Sequence, residues 1–169
     1  MVSDGSARAA RRVLIVCHAN TSRSVIAEAL LRRMLSARGR DDIVVRSGGI
    51  APYARDSSLV SLDARLVLRD DGIELPEDAT ACDLKRHRHH LAEADLIVTM
   101  TAEQRRMLAA FDEARGKEVL TLRELAGESG DIADPAGQGA DVYRTCRDEI
   151  RRCVEKIATR LAGEQPSLP

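Results

Sequence analysis

The sequence predicts an α/β protein, a three-layer sandwich in which helices cover both faces of a central parallel sheet of about four strands. Short aliphatic runs recur along the chain, and the segments between them space their apolar residues as helices do. Such alternation favours βαβ units, in which a helix connects two parallel strands. The aliphatic runs also lack polar alternation, which is typical of strands that are buried on both faces.

Four runs of aliphatic and β-branched residues are interpreted as the strands. The first is continuous and ends at Cys17, whereas the second is short and is closed by Ser47-Gly48-Gly49, a turn signal. In chain order the runs are Val13–Val16, Ile43–Arg46, Leu96–Met100 and Glu118–Leu122.

Helical spacing of apolar residues predicts the covering layers. A helix that begins near Asp56 or Ser57 and ends near Gly72 is expected to turn Leu59, Leu62 and Leu66 inward. The segment 74–90 is polar and ambiguous, and residues 127–139 form a loop rich in Gly and Asp. The other predicted helices are Ser22–Arg38, Ala102–Phe111 and one that runs from Val142 to Leu161.

Composition bounds the domain organisation and the partners. The 169 residues fit a single domain, expected at 12–163, between a flexible N-terminal tail (1–11) and a C-terminal tail (164–169). A net charge of −1 and only three aromatic residues argue against a nucleic-acid partner, and no apolar run is long enough to span a membrane. We expect a cytoplasmic protein, a monomer or weak homodimer, that binds neither nucleic acid nor membrane.

Neither the cysteines nor the histidines form a clear metal motif. The four cysteines contain no C-x-x-C pair, and the chain lacks an export signal, so reduced thiols are expected. The segment Arg86–His90 (R-H-R-H-H) invites a metal hypothesis, but its interleaved arginines would repel a cation. We expect no metal site and no cofactor, and the role of this segment stays open.

The residues between the first strand and the first helix have the pattern of a phosphate-binding loop. Cys17 and Arg23 enclose five residues in the stretch C-H-A-N-T-S-R. A loop that leads into a helix can turn its backbone N–H groups toward an anion, and an arginine fork can hold two phosphoryl oxygens. The same positive field favours thiolate over thiol, which would make Cys17 a nucleophile.

The stretch V-C-H-A-N-T-S-R-S-x-x-A-E resembles the active-site signature of the low molecular weight protein tyrosine phosphatases, C-x-G-N-x-C-R-S-P. The resemblance continues at Ser47-Gly48-Gly49, at A-D-L-I-V-T-M (94–100) and at Asp134-Pro135, and it spans about residues 12 to 162. It implies a protein phosphatase without cofactor or metal, which acts on a phosphorylated protein or peptide through a phosphocysteine intermediate.

The resemblance assigns a role to each matching residue. Cys17 is implied as the nucleophile, Arg23 as the phosphate clamp and Asp134 as the general acid, with Asp131 as the nearest rival for the acid. Asn20 and Ser24 are implied to hold the loop and the thiolate, and Ser47 to support Asn20. The expected phosphate-binding set is His18, Ala19, Asn20, Thr21, Ser22 and Ser24.

Several departures from the family pattern bear on oxidation and on substrate. Ser22 replaces the second loop cysteine, so an oxidised Cys17 lacks the thiol that could trap it as a disulfide. Residues 135–139 (P-A-G-Q-G) lack the aromatic side chains that usually follow Asp-Pro in tyrosine phosphatases. Thr21 stands where those enzymes usually have Ile or Leu, which resembles the protein arginine phosphatase branch.

Phosphotyrosine is therefore the expected substrate and phosphoarginine the serious alternative. An arsenate reductase is a weaker alternative, because it would need a relay of further thiols and only Cys82 is available in a polar region. A phosphatase that acts on a small metabolite also stays open.

Overall fold

The computed structural model describes residues 11–164, and these form a four-stranded parallel sheet in the order β2-β1-β3-β4. The first strand occupies a central position, so its carboxyl end lies between those of two neighbours. This confirms the predicted parallel sheet and its number of strands. The strands are β1 (Arg12–Cys17), β2 (Val44–Gly49), β3 (Leu96–Thr99) and β4 (Glu118–Thr121).

Six α-helices and two short 3₁₀ turns lie in the described part of the chain. The helices are α1 (Arg23–Ala37), α2 (Leu62–Asp70), α3 (His89–Glu93), α4 (Ala102–Met107), α5 (Leu122–Leu125) and α6 (Ala140–Leu161). The 3₁₀ turns are Leu108–Ala110 and Asp112–Ala114. None of the helices between residues 11 and 164 combines the length and the apolar character that a membrane span requires.

The central strand β1 divides two hydrophobic cores, which accounts for its continuous apolar run. Val13 and Ile15 belong to the core that also contains the buried faces of α1 and α6, whereas Leu14 and Val16 belong to the core beneath α3. Successive side chains of a strand point to opposite faces, so a strand covered on both sides must be apolar throughout. The predicted three-layer arrangement follows from this division.

The prediction for the first half of α2 is wrong. The helix begins at Leu62 rather than near Asp56, because the Ser61 hydroxyl accepts a hydrogen bond from the Ala64 N–H (3.1 Å) and caps it there. Leu59, Leu62 and Leu66 are exposed, and the buried face consists of Ala64, Val67 and Leu68. Because the helix starts later than predicted, the residues at positions 64, 67 and 68 lie on the side that faces the core.

The two ends of the described chain are held by side chains. The backbone N–H groups of Arg11 and Arg12 both donate to the Asp95 carboxylate, at 3.1 and 2.9 Å. At the other end, Glu164 accepts a hydrogen bond from Arg38 (3.1 Å). The rest of the two predicted tails, residues 1–10 and 165–169, lies outside the described residues.

Candidate active site

Cys17 is the last residue of β1, and the loop of residues 18–22 folds over it before α1 begins. Its side chain is buried, with 3% of its surface exposed. The Ser24 hydroxyl oxygen lies 2.8 Å from the sulfur, and the backbone N–H of Asn20 donates to the sulfur at 3.2 Å. Two polar hydrogens of the loop and helix therefore converge on this sulfur, an arrangement that stabilises a thiolate.

Asn20 holds the loop in its shape with both its backbone and its side chain. Its φ of 60° is the left-handed conformation that Asn tolerates better than most residues, in agreement with the sequence. Its side-chain NH₂ donates to Ser24 Oγ (2.8 Å) and to Ser47 Oγ (2.9 Å), while its Oδ1 accepts from the Cys82 N–H (2.8 Å). Since Ser24 Oγ accepts this bond, its own hydrogen is available for the Cys17 sulfur.

The hydrogen-bonded chain extends to a buried carboxyl group that the sequence analysis did not assign. Ser47 Oγ, which accepts from Asn20, donates to Glu28 Oε2 at 2.7 Å. Burial is the main cause that raises the pKa of Glu28, although the Ser47 hydrogen bond and the charges of Arg32 and Arg46 act in the opposite direction. Glu28 is the last residue of the stretch V-C-H-A-N-T-S-R-S-x-x-A-E. The sequence therefore shows the glutamate, but not its partner Ser47.

The end of β2 packs directly against the loop, which explains Gly49. A Cβ atom at Gly49 would lie 2.7 Å from the His18 carbonyl oxygen and 2.8 Å from the Ala19 carbonyl carbon. The following residues continue the contact, because the Ala51 N–H donates to that same His18 carbonyl at 3.0 Å. Only a residue without a side chain permits this approach.

Arg23, the first residue of α1, is almost fully buried and connects the loop to the segment that carries the predicted acid. Its Nη1 donates to the Ile132 carbonyl (2.7 Å), and its Nη2 lies 3.7 Å from Asp134 Oδ2. Its side chain is 4% exposed, whereas that of Asp134 is 56% exposed. The structure thus brings Cys17, Arg23 and Asp134 to the same edge of the sheet, as the carboxyl ends of parallel strands would.

Asp134 and its rival Asp131 lie in different environments. Asp134 Oδ1 accepts a hydrogen bond from the Ala136 N–H at 3.0 Å, and its other oxygen is the one near Arg23. Asp131 Oδ1 instead accepts from the Ala102 N–H (2.9 Å) at the first residue of α4. Asp131 therefore serves as a partner for a helix start, and Asp134 is the carboxylate beside the arginine.

His18 is held by a buried glutamine that the sequence analysis missed. Gln104 Oε1 accepts from the N–H groups of Met100 (2.9 Å) and Thr101 (3.2 Å), which turns its NH₂ toward His18 Nδ1 at 2.9 Å. Arg23 Nη2 is 3.4 Å from the same nitrogen. Both neighbours are donors, so Nδ1 is assigned as an acceptor, and a neutral ring carries its hydrogen on Nε2. The capping pattern T-x-x-Q at 101–104 was the available signal for Gln104.

Ser22 takes part in the packing behind the loop. Its hydroxyl lies 2.9 Å from the Tyr143 hydroxyl and 3.0 Å from that of Ser61, and the Thr21 carbonyl accepts from the Ser61 N–H at 3.0 Å. Tyr143 is 3% exposed. These contacts connect the phosphate-binding loop to the starts of α2 and α6.

Comparisons of the sequence and of the fold with known proteins agree on one family. The family model for low molecular weight phosphotyrosine protein phosphatase matches residues 12–167. A protein-arginine-phosphatase of Geobacillus stearothermophilus is 34% identical over 155 residues, which are 91% of this chain and 98% of that protein. The low molecular weight protein-tyrosine-phosphatase PtpB of Staphylococcus haemolyticus is 32% identical over 148 residues, 88% of this chain and 98% of its own.

A solved structure shares the fold. It is a mutant of the YwlE arginine phosphatase with a phosphorylated active-site serine, and it matches with a TM-score of 0.79 and 30% identity over 89% of this chain and 95% of its own. The family model thus covers almost the whole chain, and relatives above 30% identity cover it nearly end to end. The chain belongs to the low molecular weight phosphotyrosine protein phosphatase family.

Proposed function

We propose that this protein removes phosphate from phosphorylated proteins, with phosphotyrosine as the substrate, and that Cys17 is the nucleophile. The observation that carries the proposal is the position of the Cys17 sulfur, which receives hydrogen bonds from Ser24 (2.8 Å) and the Asn20 N–H (3.2 Å). Both contacts favour the thiolate, which is the reactive form of cysteine. A buried thiol without such donors would be inert.

In the first step the thiolate attacks the phosphorus in line with the leaving group. An S–P bond forms, the P–O bond to the substrate breaks, and Asp134 transfers its proton to the departing oxygen. In the second step the Asp134 carboxylate takes a proton from water, the water oxygen bonds to phosphorus, and the S–P bond breaks. The Cys17 thiolate is regenerated and inorganic phosphate leaves.

Arg23 and the loop amides are proposed to hold the phosphoryl oxygens during both steps. The guanidinium is fixed by the Ile132 carbonyl at 2.7 Å, so little conformational entropy is lost when it binds phosphate. The loop of residues 18–22 and the N-terminus of α1 supply the backbone N–H groups and the positive end of a helix dipole. His18, Ala19, Thr21 and Ser22 contribute to this set.

Tyr53 supports a phenyl substrate. Its side chain is 63% exposed, and it follows Ile50 and Ala51, whose N–H groups donate to the carbonyls of Cys17 and His18. This segment therefore offers an aromatic side chain near the loop of residues 18–22. Residues 135–139 contain no aromatic side chain. A phenyl ring gains about 0.5–1.5 kcal/mol from an aromatic partner beyond its burial.

Phosphoarginine is the second candidate, favoured by Thr21 and by the missing aromatic residues after Asp134-Pro135. In that case the bond that breaks is P–N, and Asp134 protonates the leaving guanidine nitrogen. The relative from Geobacillus stearothermophilus that carries the name protein-arginine-phosphatase adds to this candidate. An arsenate reductase is less well supported, because burial and the charges of Asp56 and Asp83 raise the pKa of Cys82 to about 11, which makes it a poor relay thiol.

The test compares peptides that carry phosphotyrosine or phosphoarginine, with a small phosphorylated metabolite as a third substrate. Cys17→Ser should abolish turnover of every substrate, and retained turnover would refute the proposed nucleophile. Asp134→Asn should lower kcat by about 10²–10⁴-fold. The matched control Asp131→Asn removes the charge of a carboxylate that accepts from the Ala102 N–H, and it should leave kcat close to that of the wild type.

Two further variants decide between the protein substrates. If phosphotyrosine is correct, Tyr53→Ala should raise KM for the phosphotyrosine peptide and leave the phosphoarginine peptide unaffected. If phosphoarginine is correct, Thr21→Ile should lower kcat/KM for the phosphoarginine peptide alone. We also propose that the protein is cytoplasmic and that it is a monomer or weak homodimer. Gel filtration tests the oligomeric state.

A further inference from the structure

Three side chains from two loops, the β2–α2 and α2–α3 connections, meet beside the loop of residues 18–22 without belonging to it. Asp56, Cys82 and His87 each place one potential ligand atom within 4.8 Å of the other two, and all three residues are partly buried. The Nε2 atom of His87 lies 2.9 Å from Asp56 Oδ2. Among residues 11–164 this is the group of His, Cys, Asp and Glu side chains whose geometry suits a metal ion.

We propose that Asp56, Cys82 and His87 form a Zn²⁺ site with three protein ligands and a fourth position open to solvent. One thiolate, one imidazole and one carboxylate are the ligand types that Zn²⁺ binds in proteins, and the thiolate disfavours Mg²⁺ and Ca²⁺. Ligand atoms around a tetrahedral zinc lie about 3.3–3.8 Å apart, as bond lengths of about 2.0–2.3 Å require. Closing the site thus needs side-chain shifts of about 1 Å.

The backbone around the three residues is already fixed. The Cys82 N–H donates to Asn20 Oδ1 (2.8 Å), and its carbonyl accepts from the Gly49 N–H (2.9 Å). The His87 N–H donates to the Asp83 carbonyl at 3.1 Å. Asp56 Oδ1 accepts from the Asp83 N–H at 2.7 Å, and Oδ2, which accepts from His87 Nε2 at 2.9 Å, would exchange that hydrogen bond for the metal. Such support of ligands by a second layer of hydrogen bonds strengthens metal sites.

The basic residues near the site are compatible with a cation. Lys85 is paired with Asp83 (2.8 Å), and Arg88 is paired with Glu113 (3.2 Å) and lies over the Phe111 ring. Of the two interleaved arginines, Arg88 is therefore engaged by other partners, whereas Arg86 acts on the charge of Asp56 and is the basic residue that a cation there would face.

Binding of zinc exchanges protons without a change of oxidation state. The S–H bond of Cys82 breaks, a Zn–S bond forms, and the thiol proton leaves to solvent. His87 binds through Nε2 and Asp56 through Oδ2, so the hydrogen that Nε2 donates to Oδ2 (2.9 Å) leaves that nitrogen, and the neutral ring carries its hydrogen on Nδ1 instead. Cys82 lies close to the Asp56 and Asp83 carboxylates, so the charge of a bound metal ion would balance the negative charges gathered there.

The experiment measures zinc affinity by competition with a chromophoric chelator, and it uses Co²⁺ as a spectroscopic probe of thiolate ligation. All variants are made in a Cys17→Ser background, so that the catalytic thiol cannot bind the metal. We expect one zinc per chain and a Co²⁺ charge-transfer band. Cys82→Ser, His87→Ala and Asp56→Asn should each weaken zinc binding by more than about 100-fold, since even loss of a supporting hydrogen bond costs about 10- to 100-fold.

The matched control is His89→Ala, which removes an exposed imidazole whose ring centroid is 5.9 Å from that of His87. It should bind zinc like the parent. Thermal unfolding without metal shows whether each variant is folded. Zinc should raise the Tm of the Cys17→Ser protein, but not that of a folded variant that lacks one of the three ligands. Absence of zinc binding in the parent, or affinity that Cys82→Ser leaves unchanged, would overturn the site and leave an Asp56–His87 ion pair beside a thiol. Because the readout is metal binding, this result is independent of phosphatase activity.

Discussion

The Ser24 hydroxyl lies between the Cys17 sulfur and the Asn20 amide, 2.8 Å from each. Asn20 Nδ2 occupies a lone pair of the hydroxyl oxygen, and this directs the hydroxyl hydrogen to the sulfur. Ser24 is fully buried, so no water competes for this hydrogen. On the proposed mechanism, the hydroxyl would donate to the thiolate both when it attacks and when it leaves.

Replacing Ser24 by Ala should lower kcat by about 10- to 100-fold, because a hydrogen bond to a charged group is worth about 1.5–3 kcal/mol. The rate at which iodoacetamide alkylates Cys17 at neutral pH should fall in parallel, since less thiolate is present. The control is Ser36→Ala, an exposed serine on the same helix. An unchanged alkylation rate would mean that Ser24 does not act on the sulfur.

Two substitutions at Asn20 separate its backbone role from its side-chain role. Asn20→Gly keeps access to a φ of 60° but loses the amide, whereas Asn20→Ala loses both. We expect both variants to lose activity, and Asn20→Ala to be less stable than Asn20→Gly by about 1–2 kcal/mol. Urea unfolding measures the difference. Equal stabilities would show that the left-handed backbone carries no cost at this position.

Glu28 should make the stability of the protein depend on pH. Burial raises its pKa above the ordinary value of 4.5, so the folded state holds its proton more tightly than the unfolded state does. Its contribution to stability is fully present below pH 4.5 and is lost as the pH rises through the raised pKa. The Glu28→Gln variant has no proton to lose at this position. Its free energy of unfolding should therefore rise relative to that of the wild type as the pH increases through this window. Above the window the difference between the two proteins should stay constant.

Urea unfolding of both proteins at several pH values measures this difference. The control is Glu155→Gln, an exposed residue of α6, whose difference from the wild type should show no change in the same window. A constant difference between Glu28→Gln and the wild type at all pH values would mean that the pKa of Glu28 is the same in the folded and unfolded states.

Oxidation of Cys17 should be hard to reverse. Ser22 replaces the second loop cysteine, and its hydroxyl is engaged by Tyr143 and Ser61. With excess hydrogen peroxide, the sulfenic acid should pass to the sulfinic acid, and dithiothreitol should restore little activity. Ser22→Cys should restore a larger fraction by trapping Cys17 as a disulfide. Full recovery of the wild type with dithiothreitol would show that another thiol protects it, and Cys82→Ser would then identify that thiol.

Local sequence was sufficient to predict the parts of the protein that depend on neighbouring residues. The aliphatic runs predicted the four parallel strands, and the seven residues from Cys17 to Arg23 predicted the phosphate-binding loop, because a loop between a strand and a helix can be recognised from the residues it contains. The left-handed conformation of Asn20 is compatible with its residue type, since Asn tolerates a positive φ better than most residues. The inward face of α2 was not predicted, since the Ser61 cap shifts the helix start by several residues.

Only the tertiary structure decided which distant residues surround the loop. Gln104 reaches His18 across 86 positions of sequence, and the Cys82 backbone reaches Asn20 across 62. Such contacts arise because parallel strands bring their carboxyl ends together, whatever the length of chain between them. Asp56, Cys82 and His87 meet because Asp83 pairs with Gly49 at the end of β2 and donates its N–H to Asp56, although the spacing of the three residues resembles no metal motif. The sequence alone predicted a nucleophile and its loop, and the packing of the sheet edge determined which residues surround them.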